Sequence, residues 1–185
     1  MNRRLLEMAR REFPARQRLV ALALEGGFFV ILAPLGLAWA GGRLDWLAGL
    51  APISFGWLML AAGVLLILAG MSTAFWSIAV QFRLGRGTPV PVMATQVLIV
   101  EPPYAYTRNP MALGTIAGYF GLGLVLQSVG ALAIVVFLSG MLLIYIRRVE
   151  ERELAERFGT AYQAYKQGTP FLLPRVRSRP TDPSV

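Results

Sequence analysis

Two long stretches of the chain carry no charge at all. Residues 53–82 and 109–146 contain no Asp, Glu, Lys or Arg, and each is longer than the roughly 20 apolar residues that a helix needs to cross a bilayer. Only 15% of the 185 residues are charged and 56% are hydrophobic, whereas about 25% charged is usual in a soluble domain. These stretches therefore predict an all-α integral membrane protein.

The apolar pattern predicts about four transmembrane helices. Only Gln127 and Ser128 separate the last two, which predicts a tight C-terminal helical hairpin. The polar sequence after Ile146 keeps a helical pattern up to Gly168, so the last helix should extend out of the membrane as one continuous helix. The predicted spans cover residues 19–40, 53–79, 111–127 and 129–146.

The basic residues indicate how the spans are oriented. They concentrate in residues 1–18, in the 83–110 loop and after Ile146, while the 41–52 connection carries only Arg43. The positive-inside rule then predicts a multi-pass protein of the cell membrane with both termini in the cytoplasm. It also accounts for the net charge of +8 without a nucleic-acid partner.

This topology divides the chain into four parts. They are a basic amphipathic N-terminal segment (1–18), two transmembrane helices (19–80), a loop followed by the hairpin and its cytoplasmic helix (81–174), and a basic tail predicted to be disordered (175–185).

The chain contains no cysteine and no histidine. This excludes disulfides, thiolate nucleophiles and any histidine-based acid–base or metal site, and no metal is predicted. Chemistry must then depend on Arg, Lys, Glu, Asp, Tyr, amide side chains and the backbone.

Polar groups gather where the third span begins. Asn109 and Pro110 form a good helix start, whose amide groups and partial positive charge suit a carboxylate. Arg108 precedes them, and Glu150 and Glu151 should lie beside them on the last helix. This pattern predicts a polar ligand at the rim of a lipid-filled cavity.

Each of these features also has a structural explanation. An interfacial arginine, a helix cap and a solvated helix face would account for them. Three spacings suit ion pairs within one helix: Arg147 with Glu151, Arg152 with Glu156, and Glu153 with Arg157. The glycines at 114, 118, 121 and 123 favour close helix packing. Glu25, inside the first span, is a functional candidate because a carboxylate there is unfavourable in lipid.

Several blocks, in this order, resemble the superfamily of isoprenylcysteine carboxyl methyltransferases and phospholipid methyltransferases. They are GRGTPVP at 85–91, QVLIVEPPYAYTRNPM at 96–111, the short hairpin, and EERELAERFGTAYQAYKQGTPFLLP at 150–174. The last block fills the family pattern with Glu150, Glu151, Leu154, Phe158, Gly159, Tyr162, Tyr165 and Pro174.

The resemblance implies a transfer of a methyl group from S-adenosyl-L-methionine to a lipid, lipid-modified or small hydrophobic acceptor. It implies catalytic roles for Arg108, Arg147 and Glu151, with Arg147, or Arg148 beside it, facing the acceptor's carboxylate or phosphate. The cofactor-binding residues that it implies are Gln96, Val97, Leu98, Ile99, Tyr104, Asn109, Pro110, Met111, Ala112 and Glu150.

Three departures from the family pattern leave the acceptor open. Pro102 replaces a glycine, Asn109 a histidine, and Met111–Ala112 the tyrosine that often follows the proline. Isoprenylcysteine, a phospholipid amine, a thiol or another lipid all remain candidates. The absence of histidine favours an acceptor that needs no strong base; otherwise Glu151, Tyr104 or water would have to serve.

Two other function classes compete with this one. A catalytically degenerate membrane protein could act as a partner-binding subunit, and it would bind no cofactor. A transporter or channel is disfavoured because the spans show almost no intramembrane charge and no inverted repeat.

Overall fold

The computed structural model describes residues 13–53, 56–85, 88 and 95–174. Within them the chain is helical and contains no strand, which confirms the predicted all-α class. Two π-helical turns, Phe28–Leu32 and Ile146–Glu150, join successive helices end to end. The α-helices are α1 (Ala15–Gly27), α2 (Ala33–Ala48), α3 (Trp57–Arg83), α4 (Pro110–Val125), α5 (Val129–Tyr145) and α6 (Glu151–Gly168).

Three continuous helical stretches are long and apolar enough to cross a membrane: Ala15–Ala48, Trp57–Arg83 and Val129–Gly168. Helix α4 is also apolar but has 16 residues, a length of roughly 24 Å at 1.5 Å per residue. The protein is therefore an all-α integral membrane protein, with α4 as the short member of the set.

The first helical stretch is longer than predicted. It continues past residue 40 and ends where Gly49 adopts a φ of 63°. The residues expected to begin the connection remain helical because Gly41 packs against Ala131, where an added Cβ would lie 2.8 Å from the backbone nitrogen. A segment that reads as a loop by composition is thus held in a helix by packing.

Glycines bring α3 and α4 into backbone contact. A Cβ added to Gly70 would lie 2.5 Å from the carbonyl oxygen of Gly114, and one added to Gly121 would lie 2.5 Å from that of Gly63. Small residues allow such close approach between membrane helices. The packing role expected for these glycines is confirmed.

Asp45 ties α2 to the hairpin between α4 and α5. Its two carboxylate oxygens accept hydrogen bonds from the Ser128 hydroxyl at 2.5 Å and from the Gly130 amide at 2.6 Å. The same hydroxyl accepts a hydrogen bond from the Ala131 amide at 2.9 Å. The start of α5 is therefore capped by two side chains. The predicted tight hairpin is confirmed, although residue 126 joins Gln127 and Ser128 in the connection.

The last helical stretch runs from Val129 to Gly168 but is bent. Gly159 adopts φ 53° and ψ −127° inside it, a conformation that glycine tolerates and other residues rarely adopt. The prediction of an uninterrupted helix is wrong at this position. The bend and the end of α6 direct residues 169–174, called here the return segment, back toward the start of α4.

Candidate functional site

The return segment covers the loop that precedes α4. The backbone amide of Arg108 donates to the carbonyl oxygen of Pro170 at 2.9 Å. The carbonyl oxygen of Phe171 accepts hydrogen bonds from the Thr107 hydroxyl at 3.2 Å and from the Asn109 side-chain amide at 2.8 Å. Asn109 occupies the N-cap position of α4 but makes no side-chain cap bond, because its amide group binds the return segment instead.

Arg108 and Glu151 are brought together, as predicted, and form a buried ion pair. One guanidinium nitrogen of Arg108 lies 2.7 Å from Glu151 Oε1, and their side chains are 10% and 8% exposed. The Lys166 ammonium lies 2.7 Å from Glu151 Oε2. The other terminal nitrogen of Arg108 donates to the carbonyl oxygens of Lys166 and Thr169. This cluster uses both carboxylate oxygens and connects the two ends of α6 to the α4 loop.

Arg147 and Arg148 are both exposed. The Arg147 guanidinium lies 4.5 Å from the centroid of the Phe171 ring, an arrangement typical of a cation–π contact. The expected pair of Arg147 with Glu151 is replaced by this contact, because Glu151 binds Arg108 and Lys166. Of the three pairs predicted within the last helix, Glu153 with Arg157 forms, at 3.1 Å.

Tyr104 is packed between α3 and α6. Its hydroxyl lies 3.5 Å from the carbonyl oxygen of Ser77, and its own carbonyl oxygen accepts a 2.8 Å hydrogen bond from the Tyr165 hydroxyl. Burial raises the pKa of the Tyr104 phenol well above its usual value, and the negative charge of Glu150 adds to the rise. Tyr104 is therefore a neutral hydrogen-bond donor at physiological pH and is poorly suited to act as a base.

A cavity of about 580 Å³ opens beside this cluster, between α1, α3, α4 and the junction of α5 with α6. We call it the polar cavity. Among the predicted cofactor-binding residues, Met111, Ala112 and Glu150 line it. The first two belong to the first turn of α4, and Glu150 lies across from them where α5 passes into α6. The structure thus brings part of the predicted site together around one cavity.

Other predicted residues lie outside the lining of the polar cavity. The amide of Gln96 donates to the carbonyl oxygen of Gly85 at 2.7 Å. Ile99 and Pro110 are buried, and Val97 is half exposed. Most of the GRGTPVP block falls outside the described residues. For these positions the assignment remains a prediction.

The polar cavity also has lining residues that the sequence did not single out as site residues: Gln81, Thr95, Tyr119, Glu153 and Arg157. Arg157 forms an ion pair with Glu153 and donates a hydrogen bond to the carbonyl oxygen of Thr95. Gln81 could have been noticed in the sequence, because it is a polar residue near the end of the uncharged run 53–82. Tyr119 gave no comparable signal, because a tyrosine in an apolar helix is common.

Carboxylates dominate the charge of the polar cavity. Glu25, Glu150 and Glu153 line it, and Arg157 is the one cation in its described lining. Since Arg157 is paired with Glu153, the remaining ionisable groups of the described lining are carboxyl groups. Burial raises the pKa of Glu150 to about 7, so a cationic ligand would favour its charged form. Such a lining favours a ligand that carries positive charge and hydrogen-bond donors.

A second cavity of about 500 Å³ continues from the first along α2, α4 and α5. We call it the apolar cavity, because Leu37, Ile134, Val135 and Leu138 are typical of its lining. The two cavities share the lining residues Phe29, Thr115, Tyr119 and Leu142. At their junction the Tyr119 hydroxyl donates a 2.6 Å hydrogen bond to the carbonyl oxygen of Phe29.

The described part of the chain contains no cluster of acidic side chains suited to a metal ion. The arrangement instead offers two connected, partly open cavities, one with carboxylates in its lining and the other lined by hydrocarbon side chains. It can bind an amphiphilic molecule together with a polar one near the surface of a membrane.

Comparison with known proteins identifies the family. The family model for phospholipid methyltransferases matches residues 58–161, which is more than half of the chain. No curated protein and no solved structure matches it. The matched region includes α4, α5 and the bend at Gly159, whereas α1 and α2 precede it. The chain therefore belongs to the phospholipid methyltransferase family and is a membrane methyltransferase.

Proposed function

We propose that the protein transfers a methyl group from S-adenosyl-L-methionine to a lipid, lipid-modified or small hydrophobic acceptor, in the manner of phospholipid methyltransferases or isoprenylcysteine carboxyl methyltransferases. The observation that carries the proposal is the polar cavity, which Met111, Ala112 and Glu150 line within the region matched by the family model. Met111 and Ala112 belong to α4 and Glu150 to the π-helical turn between α5 and α6, and all three line one cavity.

The polar cavity fits the methyl donor in size and chemistry. Its volume of about 580 Å³ falls within the range of roughly 300 to 1,000 Å³ that is usual for small-molecule sites. The first intrahelical bond of α4 runs from the Leu113 amide to the carbonyl oxygen of Asn109. The amides of Met111 and Ala112 precede it and suit a carboxylate, while Glu150 suits an amino or hydroxyl group.

When bound, the donor would supply an electrophilic methyl group on a sulfonium. The residues of this chain would position the acceptor in line with that group and exclude water, which accelerates a displacement reaction without a dedicated acid or base. The cluster of Arg108, Glu151 and Lys166 would hold the α4 loop in place. We propose that it acts on the donor site through this positioning.

We propose that the polar cavity lies on the cytoplasmic side, with both termini in the cytoplasm. The Lys and Arg residues support this, since they gather around the ends of the helices that border the polar cavity and are rare at the hairpin end. The acceptor would then enter from the cytoplasmic leaflet.

Calorimetric titration of S-adenosyl-L-methionine into the detergent-purified protein tests the proposal. We expect the wild type to bind with micromolar affinity. The affinity of Glu150→Gln should be lower by about tenfold or more, because a hydrogen bond to a charged group is lost. Glu156→Gln is the matched control, since this exposed carboxylate on α6 does not line the polar cavity. A folded wild type that binds no donor would overturn the proposal and favour the partner-binding alternative.

A further inference from the structure

The polar cavity contains two acceptor atoms that no contact explains. Oε2 of Glu25 on α1 and Oε1 of Gln81 on α3 are both buried, and neither has a hydrogen-bond partner among the described residues. Both residues line the polar cavity. Buried polar atoms are nearly always paired, and an unpaired carboxylate at membrane depth is particularly unfavourable. Both atoms can therefore accept a hydrogen bond from a ligand in the polar cavity.

The neighbouring cations do not supply that donor. Arg157 is held by Glu153 and by the carbonyl oxygen of Thr95. Arg18, about two turns earlier on α1, donates to the carbonyl oxygen of Phe82 at 3.2 Å and lies 4.7 Å from the centroid of its ring, and its Nε makes no hydrogen bond to Glu25. A positively charged ligand is thus the complement that the lining itself lacks.

Aromatic side chains support the same kind of ligand. Phe29 and Tyr119 lie in the lining together with Glu25, and aromatic faces attract ammonium groups, including alkylated ones. These two rings also stand at the junction with the apolar cavity. A charged headgroup in the polar cavity could therefore have its hydrocarbon chain in the apolar cavity.

We propose that Glu25 and Gln81 form a binding subsite for the ammonium headgroup of an acceptor lipid, with one hydrocarbon chain of that lipid in the apolar cavity. The proposal rests on the proposed function for the statement that this lipid is the acceptor. Glu25 lies outside the region that the family model matches. The proposal therefore depends on the unpaired oxygen atoms of Glu25 and Gln81 and on the carboxylates that line the polar cavity.

The test measures headgroup preference directly. The detergent-solubilised protein is titrated with phosphatidylethanolamine and, separately, with phosphatidylglycerol that carries the same acyl chains, and binding is followed by the shift in melting temperature. We expect the wild type to prefer the ammonium lipid. In Glu25→Gln its affinity should fall about tenfold or more, because a charge-assisted hydrogen bond is lost, while the affinity for phosphatidylglycerol should not fall.

Two further variants sharpen the result. Gln81→Met keeps the size of the side chain but removes the acceptor atom, so it should weaken the same preference. Glu156→Gln removes one carboxylate from an exposed position of α6 and should keep the preference of the wild type. An unchanged preference in both Glu25→Gln and Gln81→Met would overturn the proposal.

Titration of the same variants with S-adenosyl-L-methionine separates this subsite from the donor site. We expect Glu25→Gln to bind the donor as the wild type does. If the variant loses donor binding instead, the subsite belongs to the donor and the proposal is wrong. If the wild type binds no donor but its preference for the ammonium lipid still depends on Glu25, the subsite stands and the proposed methyl transfer fails.

Discussion

The guanidinium of Arg108 donates a 2.7 Å hydrogen bond to the carboxylate of Glu151, although the two residues are 43 positions apart. This contact fixes the loop before α4 to the first turn of α6. The polar cavity lies beside this joint, with its lining residues Met111 and Glu150 on either side. The ion pair thus determines how the two walls of the candidate site face each other.

Removal of this ion pair should destabilise the protein. We expect Arg108→Ala to lower the free energy of unfolding by about 3 kcal/mol, because Glu151 is left buried with one partner fewer. Thermal denaturation in detergent measures the effect. Arg152→Ala, at an exposed position of α6 next to Glu151, is the control and should change the stability by less than about 0.5 kcal/mol. Similar losses in both variants would contradict the structural role of Arg108.

The contact between α3 and α4 should not tolerate a methyl group. In Gly70→Ala the new Cβ would meet the Gly114 carbonyl oxygen at 2.5 Å, and such overpacking costs about 1 to 3 kcal/mol. Gly140→Ala offers a matched control in α5, because nothing lies within 4 Å of its added Cβ. The control should be neutral or slightly stabilising. Equal melting temperatures for the two variants would show that the helices are farther apart than described.

The cap on α5 should contribute to stability without affecting ligand binding. Asp45→Ala removes the acceptor for the Ser128 hydroxyl and the Gly130 amide, and loss of a helix cap costs about 1 to 2 kcal/mol. Thermal denaturation should detect this loss, whereas calorimetry should show unchanged donor affinity because the cap lies at the far end of α4. A variant with the wild-type melting temperature but weakened donor binding would contradict both expectations.

The stability of the protein should fall at alkaline pH, in part through Tyr104. Its folded-state pKa lies above the 10.0 of an ordinary phenol because of burial and the nearby Glu150. The folded state therefore retains the proton more strongly than the unfolded state does. This stabilisation is complete below pH 10 and is lost as the pH rises through the folded-state pKa.

Tyr104→Phe tests this pH dependence. Melting temperatures of the wild type should fall between about pH 10 and 11.5, and those of the variant should fall less. Tyr106→Phe, at an exposed position in the same loop, is the control and should follow the wild type. If Tyr104→Phe shows the same alkaline loss as the wild type, the phenol is not held in its neutral form by its surroundings.

The sequence predicted the spans and the hairpin because uncharged runs and a two-residue connection follow directly from the needs of a bilayer. It also predicted the meeting of Arg108 with the Glu150 and Glu151 region. It did not predict the partners of Glu151, since the spacing of Arg147 suggested a local pair. Arg108 comes from a loop far away in the sequence, and Lys166 lies beyond the bend at Gly159. Tertiary contacts decided this case.

The lining of the polar cavity was only partly predictable for a related reason. Glu150, Met111 and Ala112 belong to blocks that resemble a family, so they could be named. Gln81 and Tyr119 are single polar residues in apolar helices, and their relation to the cavity depends on how the helices rotate against one another. Asn109 was expected to face a ligand, but its side-chain amide binds Phe171 in the return segment.

The glycine contact between α3 and α4 has a mechanical consequence. Two helices whose backbones touch at Gly70 and Gly114 and again at Gly63 and Gly121 cannot separate without losing these contacts, so they form a rigid wall. Helix α1, which also lines the polar cavity, has no buried residue. Any opening that admits a lipid would therefore be expected as an outward tilt of α1, with the glycine wall as the fixed frame against which it moves.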